Sequence, residues 1–129
     1  MARTVTLIVR IAALLCLVAI TILSVLGDPP DSATGSDKAD HLLAYTGLSL
    51  LVTLSRRDGK PSLAWLGAAA LMCAAYGGVL ELVQSRIGRF SEWRDEAANA
   101  AGSLIGAGVG TLVLVVVGRL RASRAPRSD

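Results

Sequence analysis

Residues 95–117, DEAANAAGSLIGAGVGTLVLVVV, carry the strongest indication of the fold. The first turns of this stretch are polar and include Asn99, whereas its second half is apolar. Between the two halves, Gly102, Gly106 and Gly110 form a row of small residues at a spacing of four. Because such rows let helix backbones approach closely in lipid, the stretch predicts a membrane helix with a polar end and a close-packing face.

Three further apolar stretches precede this one, at residues 4–26, 41–54 and 63–83. About 20 apolar residues are needed to cross roughly 30 Å of hydrocarbon. The first, third and fourth stretches meet this requirement. The second meets it when the helix begins near Asp37 and carries its polar first turn at the interface.

The predicted fold is therefore all-α, a single polytopic membrane domain over residues 1–129. Hydrophobic residues make up 53% of the chain, and the mean hydropathy is +0.56. Both values favour a membrane protein over a soluble domain. The prediction is a bundle of four transmembrane helices at about 4–26, 37–55, 62–84 and 95–118, followed by a cytoplasmic basic tail at 119–129.

The first stretch has an alternative interpretation as a cleaved signal peptide, since Arg3 and Arg10 precede an apolar run. That run is long for a signal peptide, and Val25 with Gly27 makes a poor small-residue cleavage site. We therefore expect the first helix to be retained as a span.

The net charge of +3 is best explained by membrane topology. Nine of the thirteen Lys and Arg residues fall at the N-terminus, in the loop after helix 2 or in the C-terminal tail, and four fall on the opposite side. Lys and Arg are enriched on the cytoplasmic side of membrane proteins, so both termini are expected in the cytoplasm of a multi-pass protein of the cell membrane. The tail is expected to contact anionic lipid, and no nucleic-acid partner is expected.

Both cysteines, Cys16 and Cys73, lie inside apolar helices, where cysteine behaves as a small hydrophobe. The chain has no Cys/His pair at metal-ligand spacing. Neither a disulfide nor a zinc finger is therefore expected, no residue is assigned to a resident metal, and no cofactor is assigned.

Polar residues are concentrated at one end of the predicted helices. Asp37, His41 and Tyr45 share one face of helix 2 at spacings of four. Ionisable groups at membrane depth cost roughly 2.5–3.5 kcal/mol, so their common depth indicates one site on the outer side. The predicted ligand-binding set is Lys38, His41, Tyr45, Glu81, Gln84, Arg89, Asp95 and Asn99, and the acid–base candidates are His41, Asp37, Glu81 and Asp95.

Each of these residues also has a purely structural interpretation. Asp37 is a plausible helix cap, and His41 is commonly satisfied by a neighbouring carbonyl or carboxylate. Glu81 lies about one turn inside helix 3 and can be paired with Arg89 or Lys38. The charged residues Arg86, Glu92, Arg94 and Glu96 are predicted to be solvated loop charges.

Taken together, the motifs resemble the VanZ-like family of small bacterial membrane proteins, named for a protein linked to teicoplanin resistance. The resemblance covers about residues 37–110 and is specific as a set. Its three blocks are Asp37-Lys38-x2-His41-x3-Tyr45, Gly77-x3-Glu81-x2-Gln84 and Arg89-x5-Asp95-x3-Asn99-x2-Gly102-x3-Gly106. The resemblance implies an integral membrane fold of four helices and no settled reaction. Glycopeptide resistance is carried over as a phenotype of some members.

Three functions are compatible with this pattern. The first is recognition of an envelope lipid headgroup or cell-wall precursor, with Lys38 and Arg89 as the cations that hold a phosphate or carboxylate. The second is an enzyme that acts on a lipid-linked substrate, with His41 as general acid or base and Asp37 orienting it. In this hypothesis Glu81 and Asp95 hold a divalent cation or serve as a second acid–base pair.

The third is a structural accessory subunit that packs against a larger membrane protein through Gly102, Gly106 and Gly110. We expect the glycine row to pack mainly within the bundle, with homodimerisation as the alternative. A channel is not expected, because helices 1 and 4 lack polar residues through their middle and inner halves.

Overall fold

A computed structural model of the chain describes residues 3–26, 32–56, 60–88 and 92–124. This part of the chain forms four helices and contains no strand, which confirms the all-α prediction. The helices are α1 (Arg3–Val25), α2 (Asp37–Leu54), α3 (Leu63–Arg86) and α4 (Trp93–Arg124).

The first three helices begin and end within two residues of their predicted positions. Helix α4 departs more, because it begins at Trp93 and runs through Arg124. Residues 119–124 are therefore helical, and their prediction as part of a tail was wrong; residues 125–129 lie outside the described part. The segment from Arg119 to Arg124 contains no helix-breaking residue, and Arg121 and Arg124 in the last turn complement the helix dipole.

Helices α1, α3 and α4 are long and apolar enough to cross a membrane. Helix α2 has 18 residues, about 27 Å of helix, and it carries three charged residues in its first turn. It is not among the spans that length and composition identify. Large apolar side chains point outward on the three longer helices, as Leu15 on α1 (63% exposed) and Leu71 on α3 (71% exposed) illustrate. Such outward apolar surfaces are typical of helices that contact lipid.

Helices α2 and α4 lie side by side and run parallel. An ideal Cβ placed on Gly106 would overlap the carbonyl oxygen of Thr46 and lie 2.9 Å from the nitrogen of Leu50. A Cβ on Gly102 would likewise overlap the carbonyl oxygen of Leu42, one turn earlier. The glycine row is thus buried within the chain, as expected, and α2 occupies the close-packing face that the sequence predicts.

Small polar groups reinforce the same interface. The hydroxyl of Ser49 donates to the carbonyl oxygen of Ser103 at 2.7 Å, and both residues are fully buried. A Cβ on Gly110 would lie 2.8 Å from Cβ of Thr53, so the close approach of α2 and α4 extends over three turns.

Helix α3 runs antiparallel to α2 and α4, and α1 packs against α2 and α3. A cluster of buried apolar side chains joins α1, α2 and α3: Ile20, Tyr45, Leu48, Cys73 and Leu80. At the end where α2 finishes, the Arg10 guanidinium of α1 donates to the carbonyl oxygen of Ser55 at 3.0 and 3.1 Å. The fold therefore places the first turns of α2 and α4 and the last turns of α3 at one end, which we call the site end.

Candidate functional site

His41 lies at the centre of the site end, in the second turn of α2. Its Nδ1 lies 2.9 Å from Oδ1 of Asn99 on α4 and 3.9 Å from Oε1 of Glu81 on α3. Its Nε2 lies 3.8 Å from Oδ1 of Asp37, one turn earlier on α2. Three helices therefore meet at one imidazole, as the common depth of these residues predicts.

The partners of Asn99 fix the tautomer of this imidazole. The Nδ2 group of Asn99 donates to Oε2 of Glu96 at 3.2 Å, and a carboxylate can only accept in such a bond. The Oδ1 atom of Asn99 therefore faces His41 and accepts a hydrogen bond from Nδ1. With its hydrogen on Nδ1, a neutral His41 keeps the lone pair of Nε2 on the side of Asp37.

Glycine on α3 makes room for the carboxamide of Asn99. A Cβ placed on Gly77 would lie 2.7 Å from Nδ2 of Asn99 and 3.0 Å from its Cβ. Asn99 itself is 1% exposed. A residue larger than glycine would displace the group that orients His41, which explains a glycine at this position of the motif.

Lys38 and Asp95 form the second part of the site. The ammonium of Lys38 lies 3.1 Å from Oε2 of Glu92 and 3.7 Å from Oδ1 of Asp95. The side chain of Asp95 is only 5% exposed, and its Oδ1 accepts no hydrogen bond from the described residues. A buried carboxylate oxygen without a donor is costly, so this atom is poised to take a cationic or donating partner.

The exposed fraction of the side chains increases toward the end of the bundle. Asp37 is 70% exposed and Lys38 45%, whereas His41 is 18% exposed and Glu81 10%. Groups at the rim are therefore wet, and the deeper carboxylates and Asn99 lie below them. This gradient matches a site that a ligand approaches along the helix axes.

Two of the predicted ligand-binding residues, Tyr45 and Gln84, make none of the contacts around His41 that the described residues show. Tyr45 is 2% exposed and packs in the apolar cluster between α1, α2 and α3, so its ring serves the core. Gln84 is buried on α3, about one turn beyond Glu81. Arg89 lies outside the described residues.

The structure adds Glu92 and Glu96 to the site, although the sequence predicts them to be solvated loop charges. Glu92 pairs with Lys38, and Glu96 accepts from Asn99. The spacing from Glu92 through Glu96 to Asn99 follows one face of a helix, which is the signal that identifies them. Glu92 immediately precedes α4, whereas the helix start predicted at Asp95 places it two residues farther from the helix.

A groove at the opposite end of the bundle has a different character. It has a volume of about 510 Å³ and is lined by Arg10, Ser55, Arg56, Ser62, Ala64 and Trp65. Its basic residues contrast with the carboxylates of the site end. The two ends of the bundle therefore differ in charge. The more basic end is the one at which the sequence concentrates Lys and Arg.

Comparison with protein-family models, with curated proteins and with solved structures returned no match. The chemistry of the site end therefore rests on its geometry. A histidine of fixed orientation among carboxylates, open at the rim, can move a proton, hold a cation or bind donors of a polar headgroup.

Proposed function

We propose that this chain is a polytopic membrane protein of the VanZ-like type that recognises a hydrophilic headgroup at the outer surface of the cell membrane. The headgroup belongs to an envelope lipid or to a lipid-linked cell-wall precursor. In this proposal α2 crosses the membrane with the three longer helices, both termini are cytoplasmic, and the site end faces outward. Glycopeptide resistance is a phenotype that such recognition would explain.

One observation carries the proposal: α2, α3 and α4 bring polar side chains around His41 at one end of an otherwise apolar bundle. Ionisable groups at the edge of a membrane are costly unless they are paired or have a function. Ion pairs and hydrogen bonds among these residues account for part of the cluster. However, Oδ1 of Asp95 accepts no hydrogen bond from the described residues, and His41 is accessible from the rim.

The charge of the site decides which part of the headgroup it recognises. Carboxylates outnumber cations in the described cluster, and Lys38 is already paired with Glu92 and Asp95. A bare phosphate would therefore meet repulsion, whereas ammonium and hydroxyl groups would find acceptors. This assigns recognition to the amine- or hydroxyl-bearing part of the headgroup and gives Lys38 a smaller role than the sequence analysis expected.

Native mass spectrometry of the full chain in detergent tests the proposal. The probes are phosphatidylethanolamine, phosphatidylglycerol and a polyprenyl-diphosphate-linked muropeptide. We expect at least one amine-bearing probe to bind, and D95N to reduce its retention at least fivefold. D40N is the matched control, because Asp40 lies one residue from His41 but bonds the preceding loop. Equal retention by wild type, D95N and D40N would refute recognition at this site.

Orientation is tested separately by thiol accessibility in intact cells. Single cysteines at Lys38 and at Lys60, in a background without Cys16 and Cys73, report on the two ends of the bundle. A membrane-impermeant maleimide should label the cysteine at position 38 and spare the one at position 60. The reverse pattern would place the site end in the cytoplasm.

A second candidate function is acid–base catalysis on the same headgroup. The observation that favours it is the fixed tautomer of His41, whose Nε2 lone pair lies at the accessible side near Asp37. In that case H41Q would abolish turnover of a lipid-linked ester or phosphoester while leaving headgroup retention intact. Loss of retention without any detectable wild-type turnover would support recognition alone.

A further inference from the structure

We propose that Asp37, His41 and Asp95 form a binding site for one divalent transition-metal ion, with Zn²⁺ as the favoured ion. One ligand atom from each of these residues lies within 4.8 Å of the other two. Cys/His spacing along the chain indicates no resident metal, and the enzyme hypothesis places a divalent cation on Glu81 and Asp95 rather than on this set. Here the ligands come from two helices, and the parallel packing of α2 and α4 brings them together.

The hydrogen bond at Nδ1 of His41 supports the role of this residue as a metal ligand. Metal-bound histidines usually donate their other ring N–H to an oxygen acceptor, which fixes the ring and raises its basicity. The hydrogen bond from Nδ1 to Asn99 has this arrangement, and Glu96 in turn holds Asn99. The Nε2 atom is left as the ligand, 3.8 Å from Oδ1 of Asp37.

The buried carboxylate of Asp95 is a second, independent observation that points to a bound cation. Its side chain is nine-tenths buried, its Oδ1 accepts no hydrogen bond from the described residues, and this oxygen lies 3.7 Å from the ammonium of Lys38. An ion pair at this distance only partly compensates a buried carboxylate. A metal ion bound to Asp95 would provide full compensation, and Lys38 would keep its shorter contact of 3.1 Å with Glu92.

Distance and charge are both compatible with such an ion. Ligand atoms of a zinc site lie about 2 Å from the metal and therefore roughly 3–3.5 Å from one another. Because the ligand atoms now lie within 4.8 Å of one another, binding requires side-chain movements of roughly 1–2 Å. The 70% exposed Asp37 can move toward the ion, whereas His41 and Asp95 would have to adjust within the packed helices. Two carboxylates and a neutral imidazole carry a charge of −2, so the bound ion would leave a neutral site at the edge of the membrane.

The donor set also limits the metal. An imidazole nitrogen with two carboxylates suits Zn²⁺, Mn²⁺ or Co²⁺ better than Mg²⁺ or Ca²⁺, which prefer oxygen ligands. Three protein ligands leave at least one coordination position open toward the rim. If the proposed headgroup recognition also holds, that position would accept a phosphate oxygen, for which the carboxylates alone are unsuited. The metal site itself does not depend on that recognition.

Metal binding to the untagged full chain in detergent tests the site directly, with Zn²⁺ in calorimetry and Co²⁺ in visible absorption as the probes. We expect one ion per chain, d–d bands for Co²⁺, and at least tenfold weaker binding by D37N, H41Q and D95N. D40N, which removes a carboxylate from the same turn without touching the ligand set, should bind within threefold of wild type.

Two features keep the test decisive. Asp37 is largely exposed, so D37N should fold even where D95N does not; its melting temperature without metal should match that of wild type, and its stabilisation by Zn²⁺ should be lost. No binding by wild type below 100 µM Zn²⁺, or equal binding by D37N and D40N, would overturn the metal site. If Zn²⁺ binds to the wild-type chain but none of the lipid probes does, the metal site stands and the headgroup proposal is rejected.

Discussion

Replacing Gly106 with alanine tests the packing on which the fold and the site both depend. A Cβ at this position would lie 2.9 Å from the nitrogen of Leu50, 3.0 Å from the carbonyl carbon of Thr46 and closer still to that carbonyl's oxygen. All three atoms belong to the backbone of α2, so no side chain can rotate away. Gly108 offers a matched control, because a Cβ there meets nothing within 4 Å.

The magnitude follows from the distance that the helices must move. Ordinary contact begins near 3.4 Å, so α2 and α4 must separate by at least half an ångström along three turns of close contact. Overpacking of this kind costs about 1–3 kcal/mol, and a rigid backbone obstacle favours the upper half of that range. Both variants gain the same helix propensity, roughly 1 kcal/mol, which cancels in the comparison. We expect G106A to be less stable than G108A by about 2–3 kcal/mol, or roughly 30- to 150-fold in the unfolding equilibrium.

Thiol labelling of Cys73 measures this difference. Cys73 is 3% exposed and packs between α1, α2 and α3, so a maleimide reaches it only after the bundle opens. The measurement uses a C16A background and increasing mole fractions of SDS in dodecylmaltoside micelles. With reclosing faster than labelling, the rate reports the open population and hence the free energy of unfolding.

Equal labelling of G106A and G108A across the titration would contradict this expectation. It would mean that α2 and α4 are not in backbone contact at Gly106, and the position of α4 against α2 would be wrong. A larger loss for G108A than for G106A would place the opposite face of α4 in the interface.

Further variants probe single contacts. G77A should be less stable than G78A by about 1–2 kcal/mol in thermal unfolding, because a Cβ at Gly77 would lie 2.7 Å from Nδ2 of Asn99. At Gly78 the nearest neighbour is at 3.6 Å, so G78A should gain helix propensity of up to about 1 kcal/mol without strain. D40N should leave the bundle intact and speed protease cleavage of the preceding loop, since the carboxylate accepts three hydrogen bonds from that loop. W65F should cost about 1 kcal/mol in thermal unfolding, because the indole donates at 3.1 Å to a main-chain carbonyl of α2.

The sequence predicts the helices well because their boundaries follow local chemistry. Ser36 and Ser62 precede α2 and α3 as caps, and the hydroxyl of Ser62 accepts from the third residue of its helix. The end of α4 is harder to predict, because its chemistry is ambiguous. Positive charge at residues 119–124 is typical of a tail, but arginine is also a good helix former and is favoured in a last turn.

The sequence predicts how deep the site residues lie along the helices, but it predicts only some of the contacts among them. Common depth placed His41, Glu81 and Asn99 at one end, and the structure brings them together. The sequence does not say which helices are neighbours. Tyr45 therefore counted as a site residue although it packs in the core, and Glu96 was left out although it holds Asn99.

The glycine row and the polar cluster are parts of one arrangement. Asn99 lies one turn before Gly102, and Gly102 packs against the carbonyl of Leu42, the residue that follows His41. The close approach at Gly102 therefore sets the distance between α2 and α4 at which Nδ1 of His41 reaches Asn99. A side chain at Gly102 would separate the two polar groups as well as the two backbones. The small residues thus determine how near the polar residues lie, and the site requires the same packing that holds the bundle together.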